Sequence, residues 1–159
     1  MGVSGRNGVG KTTLLRYARK LVPDQVEYAF IPQEVDARVR QAALERLHAL
    51  DDADKGRVLS LVAGLNSDPD ALRKGPNISP GELKKLLIVE QLLREPNLLI
   101  LDEPTNHLDV GSIEALEQAL AAFPGAIILV THDEQLLRAI STVHWHIDRT
   151  GNESTLHVR

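Results

Sequence analysis

This chain of 159 residues has no cysteine, one methionine, one tryptophan, two tyrosines and two phenylalanines. The missing cysteine excludes disulfides and thiolate metal sites and suits a reducing cytosol. Aromatics make up 3% of a chain that is 43% apolar, so the core has to be built from Leu, Val, Ile and Ala. Positive charge is also short. The net charge of −4 argues against a segment that grips nucleic acid by charge alone. No apolar run approaches the ~20 residues that a membrane-crossing helix needs. The first residues form glycine-rich loop rather than the apolar stretch of a leader peptide. No internal repeat or low-complexity tract is present, and the length suits one domain with a proper core.

What is there alternates between strand and helix. Residues 1–4 read as the end of a strand. A helix over 12–21 carries Leu14, Leu15, Ala18 and Leu21 on one face and stops at Pro23-Asp24. A short strand over 26–31 ends at Pro32. The middle is helical and polar, with Val39, Ala43, Leu47 and Leu50 at helical spacing. Asp51, Asp52 and Asp54 break that helix and start another, with Val58, Leu61, Val62 and Leu65 as its stripe. Residues 66–76 read as loop. Ser79-Pro80-Gly81-Glu82 predicts a capping box that opens a deeply buried helix running to Arg94. Residues 98–101 form a continuous apolar strand of the kind covered on both faces. A helix over 112–123 follows, with Ile113, Leu116, Leu120 and Phe123 inward, then a buried strand over 126–130. A hairpin closes the chain, with strands over 143–148 and 155–158 around Thr150-Gly151-Asn152. The pattern is α/β with a mainly parallel sheet.

Two stretches carry chemistry. Gly5 to Thr12 reads Gly-Arg-Asn-Gly-Val-Gly-Lys-Thr and opens a helix. In such a loop the backbone amides turn inward to hold phosphate oxygens, and the helix N-terminus adds its positive end. Gly5, Asn7, Gly8 and Gly10 form the cradle, Lys11 contacts the β- and γ-phosphates, the Thr12 hydroxyl ligates Mg²⁺, and Thr13 can add a phosphate contact. The second stretch is the apolar strand ending in Asp102-Glu103. Asp102 suits a magnesium site that keeps its waters. Glu103 suits a general base that orients or deprotonates the attacking water. Thr131-His132-Asp133 ends the next strand. In a parallel sheet His132 lands beside Glu103 at the edge where ligands bind. Gln33 follows a strand in the same way and could reach the metal or the water. His48, His144, His146 and His157 show no second ligand cluster, and Trp145 reads as packing.

At these residues the chain resembles the nucleotide-binding domain of ATP-binding cassette (ABC) ATPases, and within them the F subfamily, soluble proteins with two cassettes and no membrane domain. Residues 5–13 match that family's Walker A loop and Gln33 its Q-loop. Ser79-Pro80-Gly81-Glu82 stands at the signature, residues 98–103 match Walker B, Asp109 the D-loop and His132 the switch histidine. Asp102-Glu103-Pro104-Thr105-Asn106-His107-Leu108-Asp109 is the most subfamily-specific run. The resemblance implies a P-loop fold with a RecA-like core over 1–34 and 95–159, helices on both sheet faces, and a helical subdomain with the signature helix over 35–94. It implies ATP and Mg²⁺ as ligands and hydrolysis to ADP and phosphate. Asp102 joins Thr12 and Gln33 at the metal, with Glu103, His132 and Gln33 at the chemistry. It also implies head-to-tail closure with a second cassette, in which Ser79, Gly81, Glu82 and Asp109 serve a nucleotide held by the partner. A cytoplasmic location and a role on the ribosome, in translation or antibiotic resistance, come with the subfamily.

The chain departs from the family pattern twice. Pro80 stands where Gly is usual, which removes one backbone N–H and predicts weaker trans binding. The family's β-rich segment ahead of Walker A, with its adenine-stacking aromatic, does not precede Gly5 here. That predicts an N-terminally truncated cassette of marginal stability and weak base selectivity. Two other functions fit the same motifs: the ATPase subunit of a membrane transporter, and an association module that binds ATP without turning it over.

Overall fold

A computed structural model describes residues 1–68, 70, 72, 78–151 and 153–158. In chain order the elements are β1 (Gly2–Gly5), α1 (Lys11–Leu21), β2 (Tyr28–Ile31), α2 (Ala37–Ala49), α3 (Asp52–Gly64), α4 (Pro80–Leu92), β3 (Leu98–Asp102), α5 (Val110–Ala121), β4 (Ala126–Val130), α6 (Glu134–Ile140), β5 (His144–Thr150) and β6 (Glu153–Val158). They fall into two compact units. One holds Met1–Gln33, Pro96–Thr105 and Leu120–Arg159; the other holds Glu34–Glu95 and Asn106–Ala119.

The first unit is built on a six-stranded sheet in the order β2-β3-β4-β1-β5-β6. All neighbouring pairs are parallel except β5 with β6, which form the expected closing hairpin. The continuous apolar runs of β3 and β4 follow from cover on both faces. On one face Val3, Ile100, Val130 and Ile147 pack with Val9 and with Leu15 of α1, and Trp145 lies partly buried against them. Alternation along the strand sends Gly2 to the other face, where an added Cβ would meet Leu137 of α6. Helix α6 was not legible as a separate element in the periodicity. Its signal is Asp133, whose carboxylate accepts from the amides of Gln135 and Leu136 and starts the helix.

The second unit is helical. Asp36 caps α2 by accepting from the Val39 amide at 2.8 Å, and Asp51 caps α3 in the same way from Asp54. Each cap contributes about 1 kcal/mol. Ala43, Leu47, Val58, Val62 and Leu65 are buried as their spacing predicts, whereas Val39 and Leu61 stay exposed. Leu83 to Val89 of α4 are all buried, and Arg46 of α2 pairs with Glu90 of α4 at 2.7 Å. The loop expected over 66–76 is corrected at Asp70 and Leu72, which are helical with Leu72 buried, while residues 69, 71 and 73–76 lie outside the described residues. The capping box forms by half. Ser79 Oγ accepts from the Glu82 amide at 3.1 Å. The Glu82 carboxylate turns instead to Lys85 and to the Ser67 hydroxyl, because a buried ammonium offers it a stronger bond than an amide does.

Candidate functional site

The loop from Gly5 to Lys11 joins the end of β1 to the start of α1. Gly8 has φ 79° and Gly10 φ 106°, a backbone that L side chains rarely adopt, and Gly10 is the N-terminal cap of α1. A Cβ at either would meet nothing, so backbone conformation rather than crowding selects glycine at both positions. Lys11 is 7% exposed. Its Nζ donates to the carbonyls of Gly5 at 2.8 Å and Arg6 at 3.2 Å. Thr12 and Thr13 follow in the first turn of α1. The hairpin also touches the loop, with Arg149 donating to the Gly8 carbonyl and Ser154 to that of Val9. No motif signalled these two residues, because their partners are backbone carbonyls that sequence does not reveal.

Asp102 and Glu103 end β3 and are 1% and 4% exposed. Glu103 has φ 48°, a left-handed conformation unusual for a side chain of its size and of the kind that accumulates at functional sites. Its amide donates to Val130 O at 2.8 Å, and its Oε2 accepts from the His132 amide at 3.2 Å. The pairing of β3 with β4 places His132 here, as the parallel register predicts. His132 Nε2 stands 3.3 Å from Glu103 Oε1, 2.7 Å from Asn7 Oδ1 and 3.1 Å from Lys11 Nζ. A ring nitrogen either carries a proton or does not. Nε2 therefore donates to Asn7 or Glu103, or accepts from Lys11, one state at a time. Burial pushes the Glu103 carboxyl above its ordinary pKa, opposed by the His132 N–H and by the nearby His132 and Lys11 charges. Gln33 is exposed just beyond the end of β2, and the Ile31–Leu101 register sets it at the sheet edge that carries Asp102.

The remaining predicted residues belong to the helical unit. Ser79 is exposed and Gly81 buried at the start of α4. A Cβ on Gly81 would sit 2.5 Å from the His107 carbonyl, so close approach selects glycine there. Asp109 is 60% exposed. Its pKa falls to about 2, first through the Ser112 amide and hydroxyl and then through the Asn66 amide. Sequence reasoning missed the burial of Lys84 and Lys85, each 2% exposed. Two lysines inside an otherwise apolar helical run were the available signal.

Of the histidines set aside from the motifs, His144 and His146 are hydrogen-bonded, and His157 stands near a carboxylate. The Ser4 hydroxyl lies 2.8 Å from His144 Nε2 and 2.7 Å from His146 Nδ1. The Asp148 carboxylate lies 3.1 Å from His146 Nε2 and 3.6 Å from His157 Nε2. Among the described residues no group of three or more His, Asp or Glu side chains could hold a metal ion on its own.

A mainly parallel sheet with a glycine loop joining a central strand to a helix is the P-loop fold. The family model described as "ABC transporter" matches residues 1–106, and the chain belongs to that family. It is 41% identical over 117 residues to the energy-dependent translational throttle protein EttA of Mycobacterium tuberculosis, covering 66% of this chain and 21% of EttA. It is 29% identical over 167 residues to ABC transporter F family member 4 of Dictyostelium discoideum, covering 92% of this chain and 14% of that protein. These relatives bear out the F-subfamily resemblance. The chain spans less than a third of either. Among solved structures, an RNase-L inhibitor shares the fold with a TM-score of 0.74 at 22% identity, over 98% of this chain and 33% of that one. Among the described residues no helix is long and apolar enough to cross a membrane.

Proposed function

We propose that this chain is the catalytic part of an ABC ATPase cassette that binds ATP with Mg²⁺, associates head to tail with a second cassette and hydrolyses the nucleotide. Residues 1–34 and 95–159 carry the cis site, and 35–94 carry the signature. The observation that supports this most directly is the gathering of Asn7, Lys11 and Glu103 within 3.3 Å of one atom, His132 Nε2.

Each residue has a chemical task. The loop amides released by Gly8 and Gly10 and the N-terminus of α1 bind phosphate oxygens. The Lys11 amine is bonded to neutral carbonyls, so a phosphate can take it over at modest cost. The Glu103 carboxyl, its pKa raised by burial, is the stronger base for the attacking water. The His132 amide holds that carboxylate in place. Thr12 and Asp102 offer hard oxygen donors, with Gln33 at the same sheet edge, a set suited to a magnesium ion that keeps several waters. Bound there, magnesium would offset the charge of the phosphates.

Ser79, Gly81, Glu82 and Asp109 serve the nucleotide of the partner cassette. Ser79 Oγ is already engaged with the Glu82 amide and Pro80 has no N–H, so this signature is a weakened one. Replacing Pro80 restores a donor worth about 1.5 kcal/mol or more toward a charged oxygen. Pro80→Gly should therefore tighten ATP-driven association roughly tenfold by light scattering, a 1.4 kcal/mol effect being about a factor of ten. The likeness to EttA, a translational throttle by name, favours a role in translation, with the cytoplasmic ribosome as the site that the subfamily resemblance implies.

Phosphate release by the full chain under saturating ATP and Mg²⁺ tests the reading. Release that Glu103→Gln abolishes supports it. ATP-driven association without release would leave an association module. Absence of both release and association would overturn the cassette mechanism.

A further inference from the structure

Lys85 lies in the interior of the helical unit, its side chain 3% exposed. A buried ammonium is costly unless it is paired and hydrogen-bonded. Its Nζ donates to Glu82 Oε1 and to the Asn66 carbonyl, both at 3.0 Å, and Asp109 Oδ2 stands 3.8 Å away. Asn66 closes the turn after α3 with φ 56°. Asparagine is one of the few side chains that accept this conformation readily. With its carbonyl turned to Lys85, its side-chain Nδ2 donates to Asp109 Oδ1 at 2.9 Å. A Cβ on Gly111 would lie 2.7 Å from that same Nδ2, so the small residue after the D-loop makes room for the contact.

Ser112 also holds Asp109, through its amide at 2.9 Å and its hydroxyl at 2.8 Å. Those bonds fix the carboxylate only to its own helix, α5. Among the described residues, the polar ties from Asp109 toward α4 run through Asn66 and Lys85. The close approach of Gly81 to the His107 carbonyl brings the same two segments together a second time.

We propose that Asn66 and Lys85 are positioning residues that lock the Ser79–Glu82 turn to the Asp109 loop, so that signature and D-loop meet a partner's nucleotide as one rigid face. This rests on the trans role assigned to Ser79, Gly81 and Asp109 above. Asn66 is the hinge pin: its main chain bonds the signature helix and its side chain bonds the D-loop. The Lys85 ammonium stands near both the Glu82 and Asp109 carboxylates, so that the two acids are held near one another rather than pushed apart.

Asn66→Gly is the clean variant. It keeps the left-handed backbone and the carbonyl for Lys85, and removes only the amide group. Lys85→Met removes the charge at similar bulk, and Lys85→Arg restores it. On the full chain, binding of a fluorescent ATP analogue at low protein concentration reports the cis site. Light scattering with ATP and Mg²⁺ reports association. A double-mutant cycle of Ser79→Ala with Asp109→Asn, measured on association, reports coupling between the two motifs. Asn66→Gly and Lys85→Met should each weaken association roughly tenfold, the size of a coupling between residues of one network, with analogue binding unchanged. Lys85→Arg should recover most of the loss. Ser79→Ala and Asp109→Asn should be non-additive in the natural chain and additive in the Asn66→Gly background. Natural-strength association of Asn66→Gly, or non-additivity that survives in it, overturns the lock. If Ser79→Ala and Asp109→Asn weaken association while Asn66→Gly does not, the trans reading stands and this inference alone fails. If none of them affects association, both fail.

Discussion

Each unit of this protein holds a lysine and a carboxylate at its candidate site, under opposite conditions. In the sheet unit Lys11 donates to neutral main-chain carbonyls, and Glu103 is buried with its pKa pushed up. In the helical unit Lys85 donates to the Glu82 carboxylate, and Asp109 is exposed with its pKa held at about 2. A bond to a neutral carbonyl is weaker than one to a carboxylate. Lys11 is therefore exchangeable and Lys85 is committed. A buried acid with a raised pKa takes up a proton more readily, whereas an acid held at about 2 stays charged under all ordinary conditions. The first arrangement suits chemistry, the second a fixed surface.

The contrast can be broken from either side. The largest effect falls on turnover: Glu103→Gln should lower steady-state phosphate release by roughly 10²- to 10⁴-fold, the usual contribution of a general base, with ATP still bound. Next comes Gly81→Ala, whose methyl meets the His107 carbonyl and should cost about 1–3 kcal/mol in urea unfolding, the range for overpacking. Glu103→Gln should also change the pH dependence of stability. Burial raises the folded-state pKa, so the stability tied to this carboxyl is fully present below the ordinary glutamate value of about 4.3 and is lost as pH rises through the raised value. The variant should gain over the natural chain at neutral pH, and the gain should vanish near pH 4. A gain that persists in acid would remove burial as the cause. The smallest effect is local: Ser112→Ala removes one of the two Ser112 bonds that depress Asp109, so its carboxyl titration, followed by NMR, should move up from about 2 toward the ordinary aspartate range.

Much of this architecture is visible in the bare chain because it depends on local pattern. The apolar runs of β3 and β4 read as buried parallel strands, and the glycine loop before Lys11 reads as a phosphate cradle. His132 could be placed beside Glu103 because parallel register aligns strand ends, and 3.3 Å separates them. The capping box was half legible. Ser79 behaves as its spacing predicts, but Glu82 found a buried lysine that no local rule supplies. Helix α6 escaped notice because it is short, and its buried residues, Leu136 and Leu137, are too few to set a period. The bonding of Ser4 with His144 and His146 escaped for a different reason: β1 and β5 are distant in the chain and become neighbours only in the sheet.

The sequence by itself determined the α/β class, the glycine loop before α1, the acidic end of β3 and the family, because each is written in contiguous residues whose spacing carries the physics. Tertiary structure alone decided that Glu103 is buried in a left-handed backbone, that Lys85 is enclosed by carboxylates and a carbonyl, and that Asn66 ties two distant motifs together. Burial and charge pairing are sums over neighbours brought in from elsewhere in the chain. A linear reading cannot form that sum until the fold has chosen the neighbours.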